Sequence, residues 1–342
     1  MKTSSCHPER SEWVIDRLLA RRLIVVLGKG GVGRTSISAA IATLAARRGL
    51  RTLLIEADLH GPIAASYGRA PGFKQIELEP NLFAMTLGGQ ESLEDYLSFV
   101  VPRPILRIVF ASAFYQYFVH AAPALRELTM MGKVYHEIER RAAPLKPWKL
   151  VVFDAPASGQ ALSMIRTPFA ARETFGDSVV GREAQNIANL LGDPARCAMV
   201  AVTTAESLAI AETLELEHTL ALLKLETAAI FFNRISLAAF TASDITRMLR
   251  RGASVHGLQH LDVLADIARA ELQRRSRERR ALAILRRQSQ CEVLEIEERE
   301  GVSGGVLANR LVEQLDALDE AQRSRAKESA SYARRAERAI KD

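Results

Sequence analysis

Four glycines occur within six consecutive positions near the start of the sequence, directly after a short apolar run. They belong to the segment Gly28-Lys29-Gly30-Gly31-Val32-Gly33-Arg34-Thr35-Ser36. Because glycine lacks a side chain, successive backbone N–H groups in such a loop can point at the oxygens of an anion. A helix that begins at Arg34 would add its N-terminal dipole, and the Thr35 hydroxyl is suited to bind Mg²⁺. The segment therefore predicts a loop that binds the phosphates of a nucleotide, with magnesium beside it.

Two cations make this loop unusual. The common phosphate loop, G-x-x-x-x-G-K-[ST], carries lysine directly before its hydroxyl residue. Here Arg34 occupies that position, and Lys29 follows the first glycine as an additional cation. The arginine guanidinium is longer and planar, whereas the ammonium of lysine is compact. We therefore expect Arg34 to preserve nucleotide binding but to make hydrolysis slow. In the alternative, the loop adapts and arginine is a competent substitute.

Two aspartates stand where apolar strands are predicted to end, Asp58 after one run and Asp154 after another. At such a position a carboxylate can hold a magnesium-bound water, which is the role expected for Asp154. It can also orient or deprotonate the attacking water, which is the role expected for Asp58. The alternative is that both aspartates only begin turns. Thr35 and Asp154 are thus the predicted magnesium residues.

Short apolar runs alternate with helical patterns along the chain. The predicted strands are Leu23–Leu27 and residues 51–56, 150–153, 198–203 and 228–232. The first run is rich in β-branched residues and ends in glycines, as expected for a strand buried on both faces of a parallel sheet. Strands that alternate with helices require crossover connections. The predicted fold class is therefore α/β, with a mostly parallel sheet and helices on both faces.

The spacing of these elements predicts the domain organisation. Residues 1–22 are expected to form a lead-in helix and residues 23–320 a nucleotide-binding domain. The 95 residues between Asp58 and Asp154 exceed what one crossover needs, so a helical insert is predicted at about 60–148. A last amphipathic helix is predicted before the tail at 321–342, which is basic and either helical or disordered. Only one copy of the glycine motif is present, which indicates one nucleotide site per chain.

Composition indicates the size of the core, the cellular compartment and whether a membrane span is expected. Hydrophobic residues make up 48% of 342 residues, enough for a substantial core. The three cysteines have no C-x-x-C spacing, so we expect a reducing, cytoplasmic setting. The longest apolar stretch, residues 99–125, contains two arginines and three prolines, so no membrane span is expected. The net charge of +6 is concentrated in the tail, where solubility is a simpler explanation than an acidic partner.

The loop and two further segments resemble a known family. Gly-Lys-Gly-Gly-Val-Gly-x-Thr-Ser is similar to the deviant Walker A loop of P-loop ATPases. Glu56-Ala57-Asp58-Leu59-His60-Gly61 and Phe153-Asp154-Ala155-Pro156-Ala157-Ser158-Gly159-Gln160 resemble the two switch segments of the arsenite-pump and tail-anchored-protein-targeting ATPases. Asp58 matches in the first segment, and Asp154 and Gly159 match in the second. Gln160 stands where that family has histidine.

This resemblance implies an ATP-binding, ATP-hydrolysing dimeric switch that uses Mg²⁺. Lys29 would reach the nucleotide of a partner chain, so the protein would be a homodimer or a heterodimer with a paralogous ATPase. Asn233 would contact adenine, although a lone asparagine after a strand is more often a cap or turn residue. The helical insert would carry an apolar helix or membrane-protein cargo. The predicted catalytic residues are Lys29, Arg34 and Asp58.

Several alternatives remain open at this stage. Arg34 also fits a regulatory subunit that binds ATP, hydrolyses it poorly and pairs with a paralogous ATPase. Nucleic-acid binding is not expected, because the long insert and the second switch segment argue against a partitioning ATPase. The pair Met130 and Met131, with the aromatic residues of 110–118, could line a groove for cargo. Packing in the core of the insert is the simpler interpretation of these residues.

Overall fold

The computed structural model describes residues 14–100, 123–139, 147–236, 240–252, 261–298 and 304–341. Within them, eight strands form one sheet in the order β3-β4-β2-β5-β1-β6-β7-β8. The strands are β1 Leu23–Leu27, β2 Thr52–Glu56, β3 Ile76–Glu79, β4 Leu82–Thr86, β5 Leu150–Asp154, β6 Cys197–Thr203, β7 Thr227–Ile235 and β8 Glu292–Glu297. Only β3 runs antiparallel to its neighbour. The predicted α/β class with a mostly parallel sheet is confirmed.

Helices cover both faces of the sheet. They are α1 Val14–Leu19, α2 Arg34–Arg47, α3 Pro62–Ser66, α4 Gly89–Val100, α5 Pro123–Glu139, α6 Ser158–Phe175, α7 Val179–Gly192, α8 Ser207–Leu222, α9 Ala242–Gly252, α10 Leu261–Gln288 and α11 Gly304–Lys341. Alternate residues of β1 face opposite sides, because successive side chains of a strand point in opposite directions. Leu23 and Val25 pack with α5, α6 and α7, whereas Ile24 and Val26 pack with α1, α2 and α11.

Three strands were not predicted from the sequence. β3 and β4 lie within the stretch that was expected to be a helical insert, so that expectation is wrong for residues 76–86, which extend the sheet at one edge. Glutamates interrupt both β3 and β8, and such edge strands lack the continuous apolar run that marks a central strand. The described helices between 60 and 148 are α3, α4 and α5. The boundaries of the insert as a separate unit stay a prediction.

Met130 and Met131 lie on α5 and are buried in the cluster on one face of the sheet. The core-packing interpretation of this pair is therefore confirmed. The aromatic residues of 110–118 lie outside the described residues. None of the described helices is long and apolar enough to cross a lipid bilayer.

Ion pairs join both ends of the described chain to the helix that follows the glycine loop. Arg48, at the end of α2, contacts Asp16 on α1 at 2.9 Å. It also contacts Asp316 at 2.7 Å and Asp319 at 2.9 Å, both on α11. Helix α1 lies within the predicted lead-in segment, and α11 runs on as helix through the predicted tail to Lys341.

Candidate nucleotide site

The glycine loop lies at the carboxyl end of β1, in the middle of the sheet, between the ends of β5 and β6. Two of its glycines are required by the fold. Gly28 has φ +150°, and an added Cβ would lie 2.3 Å from the backbone oxygen of Val202 on β6. Gly33 has φ +94°, and a Cβ there would lie 2.3 Å from Nδ2 of Asn233. Atoms of β6 and β7 therefore pack closely against the loop at Gly28 and Gly33. A Cβ at Gly30, in contrast, would meet no atom within 4 Å.

Thr35 and Asp154, the two predicted magnesium residues, meet at the end of this loop. The Thr35 hydroxyl donates to Oδ2 of Asp154 at 2.7 Å, and the Ser38 hydroxyl donates to Oδ1 at 3.0 Å. Asp154 is buried, and this burial raises its pKa, although the hydrogen bond from Thr35 and the charge of Arg34 act in the opposite direction. Hydroxyl and carboxylate oxygens are hard ligands of the kind that Mg²⁺ prefers. The oxygen atoms of Thr35 and Asp154 therefore fit this ion. Ser38, in the second turn of α2, is a further hydroxyl residue that sequence analysis missed.

Arg34 contacts the second predicted switch segment. Its Nη1 donates hydrogen bonds to the backbone oxygens of Ala155 and Pro156. Burial lowers the pKa of Arg34, and the charge of Asp154 partly opposes this effect. The guanidinium thus joins the start of α2 to the chain that leaves β5. Sequence analysis placed Arg34 in the loop but did not anticipate these two carbonyl partners, which lie more than a hundred positions away in the chain.

Asp58 lies on the first predicted switch segment, after β2. Its carboxylate accepts hydrogen bonds from the backbone N–H of His60 at 2.9 Å and from Nδ1 of His60 at 2.8 Å. The backbone hydrogen bond, followed by the side-chain one, lowers the pKa of Asp58. More than half of the Asp58 side chain is exposed. Asp58 is therefore an ionised, accessible carboxylate that can accept a hydrogen bond from a water molecule, although its lowered pKa makes it a weaker base than a free aspartate.

Glu56, the last residue of β2, is a buried carboxylate that sequence analysis did not single out. It accepts hydrogen bonds from the backbone N–H groups of Ile63 at 2.9 Å and Ala64 at 3.4 Å. Burial raises its pKa to about 7, although these two hydrogen bonds act to lower it. An acidic residue at the final position of an apolar strand, two positions before Asp58, was the signal that could have identified it. Glu56 closes the loop that carries Asp58.

Lys29 extends away from the loop towards the start of α8. Its Nζ lies 3.8 Å from Oε2 of Glu206, and Glu206 is largely exposed. This weak contact borders a cleft of about 1080 Å³, whose walls are the start of α8, the end of β7 and the second half of α10. Glu206 is another residue that sequence analysis missed. Its position just after a strand end that faces the loop was the available signal.

Asn233, near the end of β7, supports the loop directly. It is buried, and its Nδ2 donates to the backbone oxygen of Val32 at 2.9 Å. The structure thus brings Asn233 to the loop and gives its amide a partner within the protein. Contact with adenine stays a prediction.

Comparison with known proteins shows which family these features resemble. Residues 21–180 match the family model described as anion-transporting ATPase. This range contains the loop, Asp58 and Asp154. This part of the chain is similar to the anion-transporting ATPases. The resemblance to the arsenite-pump and tail-anchored-protein-targeting ATPases is thereby confirmed.

Two relatives indicate how far this similarity extends. ATPase BagA of Mycobacterium tuberculosis is 25% identical over 243 residues, which cover 68% of this chain and 70% of that protein. ATPase ASNA1 homolog 1 of Paramecium tetraurelia is 23% identical over 147 residues, 42% of this chain and 43% of that protein. Glu206, Asn233 and most of the cleft lie outside the range that matches the anion-transporting ATPase family model. The assignment of these residues to the site therefore rests on their contacts with the loop.

Proposed function

We propose that this chain is an ATP-hydrolysing molecular switch that works as a dimer. The observation that carries the proposal is the hydrogen bond of 2.7 Å between Thr35 and Asp154. It lies beside a glycine loop against which the backbone of β6 and the side chain of Asn233 pack closely. The family supplies the ATPase class, and this geometry supports ATP and Mg²⁺ as the ligands. We infer a cytoplasmic setting, in agreement with the cysteine content.

Each residue of the site then has a role that its position supports. The backbone N–H groups of residues 28–33 and the N-terminus of α2 bind the phosphates of ATP. Thr35 and Asp154 would hold Mg²⁺, which neutralises the charge that develops on the phosphates. Asp58 orients the attacking water and accepts its proton. Glu56 keeps the loop that carries Asp58 attached to the start of α3.

The switching property follows from how the two segments are attached. The hydrogen bonds that hold the loop carrying Asp58 include those from His60 to Asp58, from Ile63 to Glu56 and from the backbone N–H of Ala57 to the backbone oxygen of Asp154. The second segment is attached to the phosphate loop through Arg34. A phosphate that attracts Arg34 competes with the carbonyl oxygens of Ala155 and Pro156 for the same guanidinium. Binding and loss of the terminal phosphate can therefore move the second segment.

Two substitutions test this division of roles. Asp58→Asn fills the same space but is a poor proton acceptor, so ATP should still bind while most hydrolysis is lost. Asp154→Ala removes a carboxylate that Thr35 and Ser38 contact, so magnesium-dependent binding should weaken. The measurements are calorimetric ATP affinity with and without Mg²⁺, and phosphate release. Equal loss of affinity in the two variants would contradict the assigned roles.

Arg34 supports a second candidate, a regulatory subunit that binds ATP, hydrolyses it poorly and pairs with a paralogous ATPase. In that case the contacts of Arg34 with Ala155 and Pro156 would persist when ATP binds. Phosphate release by the isolated chain, and again with a paralogous ATPase, separates the two candidates, since the regulatory subunit would hydrolyse ATP poorly unless it is paired. The transported or targeted cargo, an apolar helix or a membrane protein, is a further proposal that follows from the family resemblance. Nucleic acid is not among the proposed partners.

A further inference from the structure

The end of β7 has an irregular backbone. Its pairing with β8 shifts register between Phe232 and Ile235. Within this interval Arg234 has φ +62°, in the left-handed region that non-glycine residues seldom adopt. Among the described residues, Asn81 and Lys224 share this property, and both lie in turns. Arg234 differs from them because it lies inside a strand, where an extended backbone is the normal state.

At this irregular backbone, the side chains of Asn233 and Arg234 lie in two different parts of the site. Asn233 turns inwards, where its amide donates to the backbone oxygen of Val32. Arg234 turns outwards and lines the cleft that begins at Lys29. In a regular strand these neighbours would also face opposite sides of the sheet, but both would be engaged in its packing. Here the strained backbone places one residue behind the phosphate loop and the next in the open cleft beside it.

The guanidinium of Arg234 has no hydrogen bond or ion pair within the part of the chain that the structure describes. Arg274, which lines the same cleft, is occupied by Glu278 at 3.0 Å and by Glu298. The contrast shows that acidic partners are present in this cleft and that Arg234 does not use them. Backbone strain at an unpaired, accessible cation indicates a functional role, because the strain persists without a structural contact that requires the side chain.

The position of the cleft beside the phosphate loop indicates which kind of ligand it binds. Lys29 belongs to the phosphate loop and also lines the cleft, so the cleft lies open to the remaining part of a molecule whose phosphates occupy the loop. The walls combine cations with half-exposed apolar side chains such as Leu208 and Ile284. An arginine guanidinium is planar and stacks on aromatic rings, and apolar side chains favour the same kind of ligand. These properties suit a nucleobase and its ribose.

We propose that Arg234 binds the nucleoside part of the nucleotide that the phosphate loop holds. This inference rests on the proposed function and adds a residue that the loop motif does not contain. Arg234 would contribute to affinity and to the choice of base, while the loop binds the phosphates.

The test compares Arg234→Gly with Lys224→Gly in the full chain. Both substitutions remove a basic side chain from a left-handed backbone position, which glycine adopts without strain. Each variant should therefore unfold at the wild-type temperature or slightly above it. Only Arg234→Gly should weaken ATP binding, by about tenfold, as expected for the loss of one contact with a charged group. Arg234→Ala should weaken ATP binding similarly, which shows that the loss is due to the side chain.

A second ligand locates the contact. Inorganic tripolyphosphate has no nucleoside, so its affinity should be the same for the wild type and Arg234→Gly. An equal loss with tripolyphosphate would overturn the nucleoside assignment, and wild-type ATP affinity in both Arg234 variants would overturn the inference as a whole. A wild-type chain that binds no ATP would instead refute the proposed function, and the inference with it. Calorimetry on the three variants separates these outcomes.

Discussion

Arg34 connects two parts of the site that must respond to each other. Its guanidinium has five N–H donors in a fixed plane and donates to the backbone oxygens of both Ala155 and Pro156. Binding of a phosphate at the loop competes with these contacts for the same donors. We expect ATP to bind while these contacts hold the guanidinium away from the position that transition-state charge requires.

We expect Arg34→Lys to raise ATP turnover by at least about tenfold, a change of roughly 1.4 kcal/mol in the activation barrier. Lysine offers a compact ammonium that can sit between phosphates, and its three donors are less suited to holding two carbonyl oxygens in one plane. ATP affinity should change little. Single-turnover and steady-state phosphate release, combined with calorimetric affinity, measure the two quantities separately.

Arg34→Ala serves as the control, because it removes both the charge and the carbonyl contacts and should weaken ATP binding. If the lysine variant turns over ATP at the wild-type rate or more slowly, arginine is a competent substitute at this position. The slow-hydrolysis hypothesis would then be wrong.

Glu56 predicts a pH dependence of stability. Its folded-state pKa is raised from 4.5 to about 7 by burial. Well below pH 4.5 the carboxyl group is protonated in both the folded and the unfolded chain, so folding carries no penalty from it. As pH rises towards 7, the unfolded chain ionises first and the folded state loses stability. The loss is complete above about pH 7 and amounts to at most about 3 kcal/mol.

The matched variant for this prediction is Glu56→Gln, which keeps one oxygen to accept the N–H group of Ile63 but does not ionise. Urea unfolding at pH 5 and pH 8, in chelator and without nucleotide, gives the free energy of unfolding of both proteins. The wild type should lose more stability than the variant between these pH values. A parallel loss in both proteins would show that Glu56 does not titrate in this range.

At the scale of the element, the turn from β1 to α2 depends on glycines for two different reasons. A side chain at Gly28 would collide with the backbone of β6, whereas a Cβ at Gly30 would project into open space. One glycine is thus needed by the sheet, and we expect the other to keep the phosphate-facing side of the turn clear.

We expect Gly28→Ala to destabilise the protein by about 1–3 kcal/mol, because neither the backbone of β6 nor a φ of +150° accommodates a Cβ easily. Gly30→Ala should leave the free energy of unfolding unchanged and yet weaken ATP binding, since its methyl group faces the ligand. Denaturant unfolding and calorimetry measure these two effects on both variants. Equal stability of the two variants would show that the contact with Val202 does not constrain the turn.

At the scale of the whole molecule, Lys29 is placed to act between chains. Its only ion-pair contact within the described residues is Glu206 at 3.8 Å, and that partner is largely exposed. Two ATP molecules that face each other across an interface bring phosphate charges together, and a cation from each chain would offset their repulsion. A homodimer and a heterodimer with a paralogous ATPase both satisfy this requirement.

We expect Lys29→Ala to abolish ATP-dependent dimerisation. Light scattering with a slowly hydrolysed ATP analogue should show the wild type as a dimer and the variant as a monomer. Lys224→Ala is the control, since it also removes one exposed lysine but lies in the turn after α8. If Lys29→Ala dimerises as well as the wild type, the role between chains is wrong.

The sequence alone determined the features that depend on neighbouring residues. The phosphate loop and its hydroxyl residue lie within nine consecutive positions, so their spacing predicted their chemistry. The central strands β1, β2, β5, β6 and β7 were predicted because strands buried on both faces are continuously apolar. The edge strands β3 and β8 were not predicted, because half-exposed strands tolerate glutamate and give no such pattern. β4 was also missed, although it lies inside the sheet and four of its five residues are buried.

Only the tertiary structure decided which side chains meet. Arg34 finds its carbonyl partners 121 and 122 positions away, and Asn233 supports Val32 from 201 positions away. Glu56 was identified as a site residue only by its burial. Arg234 was identified by its strained backbone and its position in the cleft. These properties arise when strands from distant parts of the chain pack side by side in one sheet. Local spacing in the sequence carries no information about that packing, because it fixes neither the neighbours of a strand nor the depth of a side chain.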